Sequence, residues 1–170
     1  RKTERAPRFN VFKEFIMNAL LLDLLPYVHK GYCCSQLMLA LARQLDDTED
    51  TGLMCAMRGL CHGIGQSGGP CGLLTGGAAV LAWLSSRNEE EAHPMIDAMT
   101  NEYASWFMER VKAYGGTGCE NVSTGLAAEA GTPVPEGGMP PMELCGDLLS
   151  ECWNKLLDIY ESYDLESARS

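Results

Sequence analysis

Eight cysteines lie along a chain of 170 residues. They are Cys33, Cys34, Cys55, Cys61, Cys71, Cys119, Cys145 and Cys152, and no two are spaced as Cys-x-x-Cys. A zinc ribbon or a ferredoxin carries its ligands in tight local pairs. A disulfide-stapled secreted domain is usually shorter and poorer in core residues. Thiols spread this widely act together only if the fold gathers them. Gathered, they can ligate an iron–sulfur cluster, exchange disulfides or hold a four-cysteine zinc site. Left apart, they are ordinary core residues, since free cysteine is among the most buried side chains.

Four local contexts stand out. Gly31-Tyr32-Cys33-Cys34-Ser35-Gln36 puts Cys34 at a helix start. Gly69-Pro70-Cys71-Gly72 does the same for Cys71, because proline suits a first helical turn. Tyr114-Gly115-Gly116-Thr117-Gly118-Cys119 puts Cys119 just past a helix end, in a glycine loop. Pro141-Met142-Glu143-Leu144-Cys145 puts Cys145 in the first turn of the last helix. Helix N-termini stabilise thiolates through free N–H groups and the dipole, and the same groups donate hydrogen bonds to cluster sulfurs. Glycine lets backbone approach a bulky inorganic centre. Cys34, Cys71, Cys119 and Cys145 are therefore the candidate cofactor and metal ligands, with Cys71 and Cys119 the candidate catalytic thiols.

The other four are read differently. Neighbours on a helix point about 100° apart, so Cys33 and Cys34 do not easily face one centre. Cys55 reads as a core residue. Cys61, beside His62 and near glycines, is balanced between site and core. Cys152 follows Cys145 by two helical turns, as a resolving thiol or a core residue. His62 reads as a structural donor, with a site role as the alternative, and His29 and His93 as helix-end residues. The nine methionines read as core filling rather than copper ligands. No P-loop, dinucleotide fingerprint or Ser-His-Asp ordering is present.

These segments resemble the C_GCAxxG_C_C family, proteins assigned a redox role from four spaced cysteines. Gly31 to Gln36 carries the first of them. Gly63-Ile64-Gly65-Gln66 leads into Cys71-Gly72-Leu73-Leu74-Thr75-Gly76, the most specific part, and Cys119 and Cys145 complete the set. The resemblance spans roughly Gly31 to Tyr160. Pro70 directly before Cys71, and Leu73 where the family usually has a smaller residue, depart from its pattern. The resemblance implies a helical redox protein. A similar domain accompanies haem in split-Soret cytochromes, where it was linked to an iron–sulfur site. This chain has no Cys-x-x-Cys-His, so covalent haem is not expected.

The elements that must position these thiols read as helices throughout. Phe9 to Lys30 carries an amphipathic stripe, with Pro26 kinking or ending it and Gly31 closing it. Helices follow over Cys34–Leu45, Thr51–Leu60 and Cys71–Ser85. The last contains Gly72, Gly76 and Gly77, which points to close approach by a neighbouring helix or a bound group, since interior glycine costs about 1 kcal/mol. Gly63 to Gly69 reads as a loop or strained helix end. Asn88, followed by Glu89, Glu90 and Glu91, is expected to cap a long helix reaching Tyr114. Thr117 to Pro141 reads as an irregular loop with at most one short helix. The last helix runs from about Met142 to Tyr163.

The expected fold is an all-α single-domain bundle of five to six helices, with a long Gly/Pro-rich loop before the last helix. Residues 1–30 form a helical extension, 31–163 the redox domain and 164–170 a tail. A formal net charge of −10 argues against nucleic acid, which needs clustered Lys and Arg. The best membrane candidate, Cys71 to Leu84, is short of the roughly 20 residues a bilayer needs. A cytoplasmic protein with reduced thiols is expected, with a redox protein as partner and a homodimer through close-packed glycine faces. The leading function is electron transfer through a cysteine-ligated iron–sulfur cluster, with zinc or no metal as alternatives. A thiol–disulfide oxidoreductase pairing Cys71 with Cys119 or Cys145, or a helical interaction protein with buried cysteines, are the competing readings.

Overall fold

A computed structural model of the protein describes residues 22–45, 50–86, 94–134 and 144–167. Among them the fold is all-α, with eight helical segments, more than the expected five to six, and two 3-10 turns. Helix α1 covers 22–29 and passes through Pro26, which therefore does not end it. It closes where Gly31 N–H donates to Val28 and Tyr32 N–H donates to Tyr27, a Schellman ending. Residues 1–21, the rest of the expected extension, lie outside the described residues, as do Asn88 to Glu91.

Helix α2 is Cys34–Gln44, and every residue from Ser35 to Ala42 is buried. A helix buried on all sides belongs at the centre of a fold, and α2, its buried Ser35 and Gln36 hydrogen-bonded to Met57 O and Met54 O, is flanked by α3 (Thr51–Met57), α5 (Gly72–Ser86) and α8 (Cys145–Ser167). Asp50 caps α3 by accepting from Leu53 N–H at 2.8 Å. A 3-10 turn, Arg58–Leu60, follows.

The close approach expected of the α5 glycines is made by neighbouring helices. A Cβ on Gly76 would lie 2.6 Å from Ser35 Cα, and one on Gly77 would enter the Tyr103 ring. The glycine face is thus packed inside the chain, between α2 and α6 (Ile96–Arg110). Helix α6 turns Met99, Tyr103 and Phe107 inward, as its spacing predicts. It gives way to a 3-10 turn, Lys112–Tyr114.

The segment expected to be an irregular loop instead holds an 11-residue helix, α7, Cys119–Glu129. Gly125 looks like a helix breaker, but a Cβ there would enter the Tyr114 ring. The glycine is an accommodation to a packed tyrosine, not a break. Residues 135–143 of that stretch lie outside the described residues.

Between the first 3-10 turn and α5 runs α4, His62–Gln66. Its backbone is left-handed throughout, with φ of 54° at His62, 57° at Ile64 and 67° at Gln66 around Gly63 and Gly65. Left-handed geometry costs an L-residue about 1–2 kcal/mol. The glycine-rich signal is therefore a strained left-handed turn, with glycine at the two alternate positions.

Candidate functional site

Four helix N-termini carry the four predicted thiols. Cys34 is the first residue of α2, Cys119 of α7 and Cys145 of α8, while Cys71 directly precedes α5. Cys119 thus opens a helix rather than resting in a loop. It is brought to Cys71 by a short antiparallel bridge between Pro70 and Gly118. Cys71 N–H donates to Thr117 O at 2.7 Å, and Cys119 N–H donates to Gly69 O at 3.1 Å. The prolyl nitrogen between them has no N–H to offer, so the bridge is held by the cysteines' own amides.

The same corner is tightened from two sides. On Gly63, a Cβ would stand 2.6 Å from Gly69 O and 3.0 Å from Cys119 Cβ. On Gly72, a Cβ would meet Leu60 O at 3.3 Å and Cys34 Cβ at 3.6 Å. The left-handed turn therefore packs against Cys119, and the start of α5 packs against Cys34. Cys71 is buried, while Cys34, Cys119 and Cys145 are half-buried.

The thiols feel one another. The Cys34 thiol is held well above its usual range, first because it donates a hydrogen bond to the Cys145 sulfur, then by burial and by charge on Cys145, Cys71 and Cys119. The same hydrogen bond lowers Cys145. Burial pushes Cys71 up to about 12, with Cys119 and Cys145 adding to the rise. Burial also raises Cys119, again with a contribution from Cys145. Raised values keep Cys34, Cys71 and Cys119 protonated, so ligating a metal would require them to give up those protons. By kind and number, the four sulfurs fit a thiophilic centre. Among the described residues no three ligands stand at the spacing of a preformed metal site.

The remaining four cysteines separate clearly. Cys33 and Cys61 form a disulfide, with Cα atoms 5.8 Å apart. The start of α2 and the end of the 3-10 turn meet there and bring the pair to disulfide distance, while the other six cysteines are free thiols. Sequence reasoning left both unassigned. The adjacent Cys33-Cys34 pair was the usable signal, since neighbours pointing apart must serve two different sites. Cys55, read as core, is exposed, because α3 turns Met54 and Met57 inward instead. Cys152 is fully buried and hydrogen-bonded to Tyr103, and burial pushes it up to about 12. Tyr103 in turn donates to Leu73 O at 2.8 Å, two residues beyond Cys71. His62 is half-buried beside the site.

No helix among the described residues is long and apolar enough to cross a membrane. No curated protein and no solved structure matches the chain significantly. Residues 32–159 match the family model described as "Putative redox-active protein (C_GCAxxG_C_C)", and the chain belongs to that family.

Proposed function

We propose that Cys34, Cys71, Cys119 and Cys145 form one redox site that holds an iron–sulfur cluster and passes electrons to a partner protein. The observation that carries this reading is the convergence of four helix N-termini, each with its own cysteine, into one electrostatically coupled group. A dithiol enzyme needs two thiols; four thiols at helix starts, one of them, Cys71, already accepting from the Leu73 and Leu74 N–H groups, suit a cluster. When bound, such a cluster takes up and releases one electron at a time. The chain's part is to supply four thiolates, hold them against repulsion and limit solvent access. Half-burial of three of the four leaves a route for electron exchange.

The test is iron and sulfide analysis with a visible spectrum on protein purified without oxygen. Iron and sulfide in similar amounts, with a broad band bleached by reductant, are expected. Cys71→Ser or Cys119→Ser should lose both. No iron after anaerobic reconstitution overturns the reading, and zinc alone makes the site structural.

One observation favours a second reading. Cys34 donating to Cys145 is the arrangement of a dithiol pair with one activated sulfur. Cys71 and Cys119, both raised, would then serve as partners rather than as the attacking thiolate. Metal-free protein with a reversible Cys34–Cys145 disulfide would favour it.

A further inference from the structure

Cys33 and Cys61 stand outside the four-thiol group, yet their bond grips the backbone beside two of its members. Cys33 immediately precedes Cys34. Cys61 immediately precedes the left-handed turn His62–Gln66, whose Gly63 packs against Cys119. Both sulfurs are buried.

The surroundings suit the pair in either oxidation state. Ser35 Oγ lies 3.3 Å from Cys33 Sγ and 3.3 Å from Cys61 Sγ. It donates its own proton to Met57 O at 2.8 Å, which leaves its lone pairs free to accept. Met57 O also stands 3.8 Å from Cys61 Sγ. After reduction, a Cys33 thiol would find an acceptor in Ser35 Oγ and a Cys61 thiol one in Met57 O. Both acceptors already stand at the oxidised pair, so reduction needs no rearrangement to satisfy the two new thiol protons.

We propose that Cys33 and Cys61 are a second redox centre, a reversible dithiol–disulfide couple whose state controls access to Cys119. The reductant is a dithiol protein or small dithiol. One of its thiolates attacks Cys61 Sγ, the Cys33–Cys61 bond breaks, and Cys33 leaves as a thiolate that takes a proton. The reductant's second thiol, after giving up its proton, attacks the mixed disulfide as a thiolate; Cys61 leaves as a thiolate that takes a proton, and the reductant departs as a disulfide, two electrons poorer. The turn that follows Cys61 is exposed at Ile64, Gly65 and Gln66, so opening there gives the attacking thiol its entry. Once the bond is broken, the N-terminal end of the turn keeps only hydrogen bonds, with Cys61 N–H donating to Arg58 O at 3.2 Å and Gly65 N–H to Cys61 O at 2.9 Å. The left-handed residues relax away from Cys119.

The experiment uses the full chain free of metal, equilibrated at graded ratios of reduced to oxidised dithiothreitol. Quenching by alkylation and peptide mass spectrometry then reads each cysteine separately. The Cys33–Cys61 bond should open and reclose in one two-electron transition while the far-ultraviolet helix signal persists. Cys119 should alkylate several-fold faster in the open form. The double variant Cys33→Ser with Cys61→Ser should show the fast Cys119 rate at every ratio. A bond that resists reductant until the helices melt overturns the proposal and makes the pair a staple. So does a bond that opens without changing the Cys119 rate. The measurement reads no iron, so it stands or falls apart from the cluster reading.

Discussion

At the scale of single residues, the hydrogen bond between Cys34 and Cys145 divides the labour of two thiols. Cys34 keeps its proton because Cys145 accepts it, and Cys145 loses its own more easily for the same reason. Cys145 is therefore the thiol of the four that ionises first in the metal-free protein. Replacing Cys34 with Ala removes the donor, and the pH profile of Cys145 alkylation should move to higher pH. Peptide-resolved iodoacetamide rates across pH 6 to 10 would check this; an unchanged Cys145 profile would show that another group lowers it. The helix-start positions of Cys34, Cys71 and Cys145 were legible in the sequence, from Gly31 upstream of the first, Pro70 before the second and Pro141 ahead of the third, whereas Cys119 was read as lying in a glycine loop. Their hydrogen bonding was not, because it depends on side chains from α2 and α8 meeting across 110 or so residues of chain. The Cys33–Cys61 bond was hidden for the same reason, its partners being 28 residues apart with no local pattern to mark them.

At the scale of elements, two glycine uses govern the site. Gly76 lets α2 and α5 touch at Ser35, which holds the start of α2, and Cys34 with it, against the start of α5. Alanine at Gly76 puts its Cβ 2.6 Å from Ser35 Cα, and backbone cannot yield as a flexible side-chain tip can. Gly76→Ala should destabilise the fold by about 1–3 kcal/mol and widen the gap between Cys34 and Cys71. Urea unfolding measures the first effect and cluster content the second; wild-type stability in the variant would show that α5 can slide without cost. The close approach was readable from three glycines in the first turns of α5, while its partner was not. Conversely the helix within the stretch read as an irregular loop was not legible, since sequence does not show that Tyr114 occupies the space a Cβ on Gly125 would fill. The left-handed turn lies between these cases. Its glycines signalled an unusual backbone, but not the positive φ at His62, Ile64 and Gln66, nor the packing of Gly63 on Gly69 and Cys119.

At the scale of the whole molecule, the four-thiol corner is one end of a helical stack whose other contacts keep it closed. Arg110 of α6 binds Glu151 of α8 through two nitrogens, at 2.7 Å and 3.2 Å, and approaches Glu129 of α7 at 3.6 Å. Lys155 of α8 returns to Glu102 of α6 at 2.8 Å. Half-exposed pairs of this kind contribute about 1 kcal/mol or less each, so they orient the helices more than they stabilise them. Greater leverage lies in the buried protons. Cys152 holds its proton up to about 12 in the fold, because burial disfavours its thiolate, whereas an unfolded cysteine releases it near pH 8.5, about its ordinary value. A folded pKa above the unfolded one stabilises the fold fully below the unfolded value, and that contribution is lost as pH climbs toward the folded value. Across that window each such thiol removes about 1.4 kcal/mol per pH unit, and Cys71, also raised to about 12, acts in the same direction. The metal-free protein should therefore lose stability steadily from about pH 8.5 upward, reading the loss by urea unfolding at pH 7, 9 and 10. Cys152→Ala, although less stable at every pH for the packing it loses beside Tyr103, should lose stability more gently with rising pH than the wild type. An equally steep decline in that variant would mean that Cys152 does not carry the alkaline sensitivity.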